Sequence, residues 1–175
     1  KVLSETDYDI NPAGFTIHSA VHAARPDAGC VMHLHTDDGT AVSAQADGLL
    51  PITQTAMTLI GDLAYHDYEG IALDLDERAR LVANLGTANN MILRNHGTMT
   101  CGENIQAAFL RMFAMERACS MQIRALSGGV KLNMPSNAAI ENVHNQMANM
   151  SMNIADLAWA PLLRMLDAAD PSYRN

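Results

Sequence analysis

Short apolar runs alternate with longer amphipathic segments along the chain, and this alternation predicts interleaved strands and helices. Two apolar runs bounded by turn-forming residues, at 29–35 and 90–94, have the length of buried strands. A third strand is expected at 63–65. Apolar residues recur at helical spacing in most of the remaining chain, which predicts helices at 12–24, 38–45, 53–60, 76–85, 103–126, 136–150 and 153–169. Interleaved strands and helices are typical of an α/β domain whose helices cover a sheet.

Turn and capping residues divide the chain at the same points. Asn11-Pro12 is a favourable helix start, because Asn caps a helix and Pro fits its first turn. We predict a main domain at 1–129, which ends after the paired glycines that follow the long helix, and a helical extension of that domain at 130–175. The first ten residues, KVLSETDYDI, are predicted to be a strand or hairpin arm, and a further segment is expected upstream of them.

Composition narrows the classes of function. The chain has 175 residues, of which 49% are hydrophobic and 17% charged, as in a globular protein with a sizeable core. A formal net charge of −8 at pH 7 argues against unspecific nucleic-acid binding, which needs clustered Lys and Arg. No apolar run approaches the roughly 18–20 residues that span a membrane. Three cysteines without CxxC spacing indicate reduced thiols. These features predict a cytoplasmic protein that acts on a small molecule.

The stretch VMHLHTDD, at residues 31–38, is the first candidate for chemistry. Side chains two residues apart in a strand point to one face, about 6.5–7 Å apart along the chain, so His33 and His35 can approach one metal ion. Zinc binds nitrogen ligands at about 2.0–2.1 Å, and catalytic sites commonly use three protein ligands and one open position. An HxH pair alone is also typical of polar residues at a strand end, so the metal hypothesis depends on a third ligand.

His96, in the segment RNHGT, is the candidate for that third ligand. It follows the strand expected at 90–94, and NHGTMTCG is predicted to be a tight loop or hairpin corner in which Gly97 permits a sharp turn. α/β sheets commonly build their sites where strands end. The alternative for His96 is a turn histidine that hydrogen-bonds a backbone carbonyl.

His18 and His22 form a rival pair, because residues four apart lie on one face of a helix. No Glu follows His18, so the HExxH metalloprotease motif is absent. We therefore expect His18 on the inner face of its helix, as a hydrogen-bonded neighbour of the metal-binding residues, and His22 interacting with the helix dipole. His144 is expected to be a surface or packing residue.

Together these motifs resemble one family. Four stretches, INPAGFTIHSAVHAARPDAGCVMHLHT, LPITQ, AYHDYEG and ILRNHGTMTCGENIQAAFLRMFAMERAC, are similar to the class II aldolase and adducin head domains. The resemblance covers residues 10 to about 127. It implies a three-layer α/β/α fold with a central mixed or antiparallel sheet, and a cyclic homo-oligomer, with a tetramer favoured. It also implies that His33, His35 and His96 bind zinc, as their counterparts do in fuculose-phosphate aldolase and ribulose-phosphate epimerase.

The chain departs from the sugar-phosphate aldolases of that family. Gly14 stands where they have an acidic residue, and nothing before Asn11 resembles their phosphate-binding loop, so NPAG is closer to an adducin-like bacterial branch. Proton transfer is therefore assigned to the loop YHDYEG. Tyr65, Asp67 and Tyr68 belong to this loop, but His66 and Glu69 are the catalytic candidates. The alternative is a capped turn that leads into the next helix.

Glu116 lies among apolar residues of the long helix, where a carboxylate needs a partner. One interpretation is that Glu116 orients a zinc-binding histidine. The other is an ion pair, for instance with Arg111 or Arg117.

Two functions follow from these residues. The first is a divalent-metal-dependent lyase, with Zn²⁺ as the expected ion, that cleaves or rearranges a small hydroxy-carbonyl compound through a metal-stabilised enediolate. Other divalent transition metals also bind three histidines. The second is a non-catalytic, adducin-like interaction or oligomerisation module. The resemblance implies that adducin heads lack an intact metal triad, so the three intact histidines favour the enzyme.

Overall fold

The computed structural model describes residues 3–149 and 154–174. Within them, helices and strands interleave as the hydrophobic pattern predicts. The four strands are β1 (Cys30–Leu34), β2 (Leu63–His66), β3 (Asn90–Leu93) and β4 (Gly97–Gly102). The α-helices are α1 (Pro12–Ala24), α2 (Asp37–Ser43), α3 (Gln54–Ile60), α4 (Glu77–Leu85), α5 (Ile105–Ser127), α6 (Asn137–Ala148) and α7 (Ile154–Ala169).

The four strands form one mixed sheet in the order β1-β4-β3-β2. β2 and β3 run parallel, whereas β4 is antiparallel to both of its neighbours, β1 and β3. Leu34 therefore lies opposite Thr98, and Leu93 lies opposite Gly97. This register brings the end of β1 beside the short turn between β3 and β4.

Helices cover both faces of this sheet, so the predicted three-layer α/β/α class is confirmed. α1 and α4 pack on one face, where Ile17, Val21 and Leu81 join a buried cluster with Met91 and Met99 of the strands. The opposite face is covered by α2, α3 and α5. The buried residues of that second cluster include Val42, Leu59, Ile92, Met115 and Cys119.

Local capping explains where the helices begin and end. The side chain of Asn11 accepts hydrogen bonds from the backbone N–H groups of Ala13 and Gly14, as predicted for the start of α1. Asn104 caps α5 in the same way, through Ala107. α4 ends at Gly86, whose φ of 55° lies in the left-handed region that glycine adopts without strain.

Two predictions of local structure are wrong. Residues 3–10, the described part of the predicted arm, form no strand; their side chains are exposed and no neighbouring strand offers them hydrogen bonds. The segment NHGTMTCG is not a loop throughout, because Gly97–Gly102 is the buried strand β4. Its alternate threonines pack toward α5, so a run that looks polar in the sequence lies in the middle of the sheet.

The two C-terminal helices lie against the second helical layer. α6 contacts α3, and α7 contacts α5, where the rings of Phe109 and Trp159 meet edge to face at 5.6 Å between centroids. The division at residue 129 into a main domain and an extension stays a prediction. In the described residues, none of the helices combines the length and the apolar character that crossing a membrane requires.

Candidate metal centre

His33, His35 and His96 come together at one end of the sheet. A metal-binding nitrogen from each ring lies within 4.8 Å of the corresponding nitrogen of the other two. The ring centroids are 4.6 Å apart for His33 and His35, 4.8 Å for His33 and His96, and 4.6 Å for His35 and His96. His35 is exposed, whereas the other two rings are half-buried, so the group can be reached from solvent.

The sheet and one glycine produce this convergence. His33 lies in β1 and His35 directly follows it, so the two side chains share a face of the strand. His96 precedes β4, which pairs with β1. A Cβ atom on Gly97 would overlap the carbonyl oxygen of Leu34 and lie 3.1 Å from the ring of His35. A residue without a side chain is therefore needed for the two strands to approach this closely.

The tautomer of His33 is fixed by the backbone. Its Nδ1 lies 2.9 Å from the carbonyl oxygen of Thr98, which can only accept, so Nδ1 carries the proton. Its Nε2 consequently presents a lone pair to the centre of the group. Nε2 of His35 lies 2.8 Å away and must donate to it. A shared proton holds these two ring nitrogens at this distance. The same arrangement suits two nitrogen ligands of one metal ion.

The electrostatics favour neutral imidazoles. The pKa of His33 is lowered to about 4, mainly by burial and in part by the neighbouring histidines, against the opposing effect of the hydrogen bond to Thr98. Burial, with His35 nearby, also lowers the pKa of His96. Because a metal ion binds only the neutral imidazole, these environments keep the donor nitrogens available near neutral pH.

Glu116 lies on the other side of β4 from the histidine rings. Its carboxylate accepts hydrogen bonds from the hydroxyl of Thr36, the residue after His35, and from Thr98 Oγ1 at 3.1 Å. A Cβ atom on Gly39 would lie 2.6 Å from its Oε1, so this glycine makes room for it. Among the described residues, no hydrogen bond or ion pair joins Glu116 to one of the three histidines. Glu116 joins the two backbone segments that carry them, and neither Arg111 nor Arg117 forms an ion pair with it among the described residues.

The two helix histidines have separate environments. His18 is half-buried, and burial followed by the proximity of His22 lowers its pKa. Its charge would also act on His33, which places it near the three-histidine group. Nδ1 of His22 lies 3.1 Å from the carbonyl oxygen of Ala28. Neither of them belongs to the three-histidine group among the described residues. An orienting role for His18 and an interaction of His22 with the helix dipole stay predictions.

The two catalytic candidates of the YHDYEG loop are occupied by other partners. His66 is 3% exposed, and its ring nitrogens contact Glu77 Oε1 at 3.3 Å and Asn84 Nδ2 at 2.9 Å. Glu69 forms a forked ion pair with Arg80 whose shorter Nε contact is 2.8 Å. These contacts give both side chains a structural role at the base of the loop. Their assignment to proton transfer stays a prediction.

Tyr68, between them in the chain, is the loop residue that reaches the histidines. Its ring lies edge to face with His96, at 6.4 Å between centroids, and is about half exposed. Tyr68 belongs to the candidate loop, but the residues predicted to be catalytic are His66 and Glu69. No local signal in the sequence identifies Tyr68, because its approach to His96 depends on the contacts that hold the loop against α4.

Comparison with known proteins confirms the family that the sequence motifs predict. Residues 1–123 match the sequence profile of the family described as "Class II Aldolase and Adducin N-terminal domain". The "Putative aldolase class 2 protein" of Caulobacter vibrioides is 52% identical over 175 residues, which cover 99% of this chain and 68% of that protein. Alpha-adducin of Mus musculus is 50% identical over 123 residues, which cover 70% of this chain and 17% of the adducin.

A solved structure agrees with the fold over nearly the whole chain. The aldolase II superfamily protein from Pseudomonas syringae superimposes with a TM-score of 0.91 at 47% identity, covering 98% of this chain and 69% of its own. The two C-terminal helices therefore belong to an arrangement that the similar protein shares.

Proposed function

Because the chain belongs to the family of class II aldolases and adducin N-terminal domains, we propose that it is a divalent-metal-dependent, aldolase-like lyase. Its substrate is a small hydroxy-carbonyl compound of the sugar or sugar-phosphate type. His33, His35 and His96 are its metal ligands. From the sequence, we further propose that the chain forms a homo-oligomer in the cytoplasm.

One observation carries this proposal: three imidazoles converge, and the tautomer of one of them, His33, is fixed by a backbone carbonyl. Nδ1 of His33 is committed to the Thr98 carbonyl, so the nitrogen that remains faces the other two rings. Metal-binding histidines usually donate a hydrogen bond from the N–H of their second ring nitrogen in this manner, which orients the ring and raises its basicity. The donor set therefore fits a divalent transition metal, and three nitrogen ligands with an open position are typical of catalytic zinc.

When it is bound there, a divalent ion supplies Lewis-acid polarisation of a substrate carbonyl oxygen. The residues of the chain hold and shape the site. Glu116 fixes the strand segments beside His35 and His33 through the two threonines, and Tyr68 forms a wall next to His96. The exposed side of His35 leaves the group open to a ligand. Cleavage of a carbon–carbon bond next to a hydroxyl group also needs a proton-transfer group, for which His66 and Glu69 are the assigned candidates.

A screen for aldehyde release tests the proposal. The chain, loaded with Zn²⁺, Mn²⁺ or Co²⁺ in parallel, is incubated with sugar phosphates and with unphosphorylated hydroxy-ketones. We expect metal-dependent aldehyde release from at least one of these compounds, and its loss in His96→Ala. His144→Ala is the matched control, because His144 is an exposed histidine of α6. Activity that survives His96→Ala, or that persists in chelator, contradicts the proposal.

The alternative function is an adducin-like interaction module, which the 50% identity to mouse alpha-adducin favours. In that case the three histidines would be packing residues, and the fold would serve assembly. Metal binding separates the two functions: a module of this kind is expected to keep its stability and oligomeric state when all divalent ions are removed, whereas the enzyme loses a bound ion that stabilises it.

A further inference from the structure

Three hydrogen bonds attach the turn that carries His96 to one neighbouring segment, the end of α2 and the two residues after it. Arg94 Nη1 donates to the carbonyl of Gln45 at 2.8 Å. The backbone N–H of Asn95 donates to the carbonyl of Ser43 at 3.1 Å. The backbone N–H of His96 donates to the hydroxyl of Ser43, also at 3.1 Å. Three successive residues of the turn are thus bound to residues 43–45.

The conformation of the turn explains why it needs such support. Asn95 has φ of 55°, and it is the one described residue other than glycine with a positive φ. Asparagine tolerates this left-handed conformation better than most residues, but it is still less favourable than an extended or helical one. The turn joins β3 to β4 and is closed by a hydrogen bond of 3.1 Å from the N–H of His96 to the carbonyl of Leu93. Its left-handed residue, Asn95, is held from outside the turn, by the carbonyl of Ser43.

Ser43 provides this support through its hydroxyl and its backbone carbonyl. Its side chain is 1% exposed, so water does not compete for its hydroxyl. The hydroxyl proton is donated to the carbonyl of Thr40 at 2.7 Å, which leaves a lone pair of the oxygen for the N–H of His96. The carbonyl of Ser43 therefore binds Asn95, and its hydroxyl binds His96.

We propose that Ser43 is a positioning residue, which holds the Asn95–His96 turn so that the imidazole of His96 meets those of His33 and His35. The proposal rests on the proposed function, because it takes His96 to be a metal ligand. Ser43 does not contact the ion itself. Without its hydroxyl the turn keeps the bond to the Ser43 carbonyl, and the N–H of His96 keeps its contact with the carbonyl of Leu93. The bond that ties His96 to the end of α2 is lost, and the third imidazole is then held less tightly.

The experiment measures Zn²⁺ affinity in the intact chain by competition with a chromogenic chelator, together with the unfolding midpoint of the metal-free protein. Ser43→Thr and Ser43→Val form a matched pair, because the two side chains have nearly the same shape and only threonine keeps the hydroxyl. Ser43→Ala is the smaller truncation. Ser19→Ala is its control, because the hydroxyl of Ser19 is buried without a hydrogen-bond partner among the described residues.

We expect Ser43→Val and Ser43→Ala to bind Zn²⁺ about tenfold more weakly, the lower end of the loss seen when groups that orient metal ligands are removed. Ser43→Thr and Ser19→Ala are expected to bind like the wild type. Equal affinities in the threonine and valine variants, with or without a lower unfolding midpoint, overturn the positioning role. If that pair does not fold, equal Zn²⁺ affinities of Ser43→Ala and Ser19→Ala overturn the positioning role. A wild-type chain that binds no Zn²⁺ overturns the proposed function itself, and with it this role.

Discussion

Nδ1 of His33 donates a hydrogen bond of 2.9 Å to the backbone carbonyl of Thr98, on the neighbouring strand. Thr98 itself donates, through its side-chain hydroxyl, to the carboxylate of Glu116. Thr98 thus connects a metal-candidate imidazole on one face of the sheet with a carboxylate on the other. This connection links the stability of the strand pairing to the geometry of the site.

Removal of metal should lower thermal stability. An ion that binds only the folded chain stabilises it by about 2.7 kcal/mol when its free concentration is 100-fold above the dissociation constant. For a domain of this size, this corresponds to about 5–10 °C in the unfolding midpoint. We expect that decrease when chelator replaces Zn²⁺ in a calorimetric scan, and no difference between the two conditions in His96→Ala. A wild-type midpoint that chelator leaves unchanged would falsify the prediction.

Gly97→Ala should disturb both the strands and the site. The added methyl group would overlap the carbonyl of Leu34 and press on the ring of His35, so we expect a loss of about 1–3 kcal/mol in the free energy of unfolding. Zn²⁺ affinity should decrease as well, because His35 and His96 are pushed apart. Gly128→Ala is the control. Its φ is −82°, and a methyl group added there would meet no atom of the described residues within 4 Å beyond its chain neighbours. Equal denaturation curves for the two variants would refute the close-approach argument.

Glu116→Ala should destabilise the chain by about 2 kcal/mol, since two threonine hydroxyls lose a charged acceptor. Glu116→Gln, which keeps one acceptor oxygen, should lose less. Both variants should bind Zn²⁺ more weakly than the wild type, because the backbone beside His33 and His35 is no longer fixed from α5. Glu103→Ala removes a carboxylate that is 61% exposed and should change neither quantity measurably. Urea denaturation and chelator competition give the two readouts.

The base of the YHDYEG loop depends on a buried pair. Glu77→Ala leaves the Nε2–H of the buried His66 without its acceptor, and we expect a loss of about 2–3 kcal/mol in urea denaturation. Glu69→Gln weakens a more exposed contact with Arg80 and should leave the denaturation curve unchanged. A greater loss of stability in Glu69→Gln than in Glu77→Ala would show that the outer pair, and not the buried one, anchors the loop.

Features of the fold that depend on local pattern could be predicted from the sequence. The spacing of His33 and His35 in an apolar run places both on one face of β1, and Gly97 after His96 indicates a tight turn. The central strand β4 was missed because its threonines are satisfied by α5, a partner that the local sequence does not reveal. The α/β class thus follows from periodicity, and the shared face of His33 and His35 from strand spacing, whereas the three-layer arrangement and the three-histidine site are implied by the family resemblance. Strand neighbours do not follow from the local pattern.

The supporting residues could not be predicted, because their partners are distant in the chain. Ser43 and His96 are separated by 53 positions, and Thr36 and Glu116 by 80. Tyr68 reaches His96 only because the loop is clamped to α4. The chemistry of their side chains makes His66 and Glu69 the catalytic candidates. The structure adds that both are committed to partners, which the sequence could not show.

The central claim is that three histidines hold one divalent ion, and the most direct test is the metal content of the chain purified without a histidine tag. Mass spectrometry of the metals is expected to find one divalent transition-metal ion per chain in the wild type and in His144→Ala. None should remain in His33→Ala or His96→Ala once each is shown to be folded. A wild-type chain without a stoichiometric ion, or a folded His96→Ala variant that keeps one, contradicts the account.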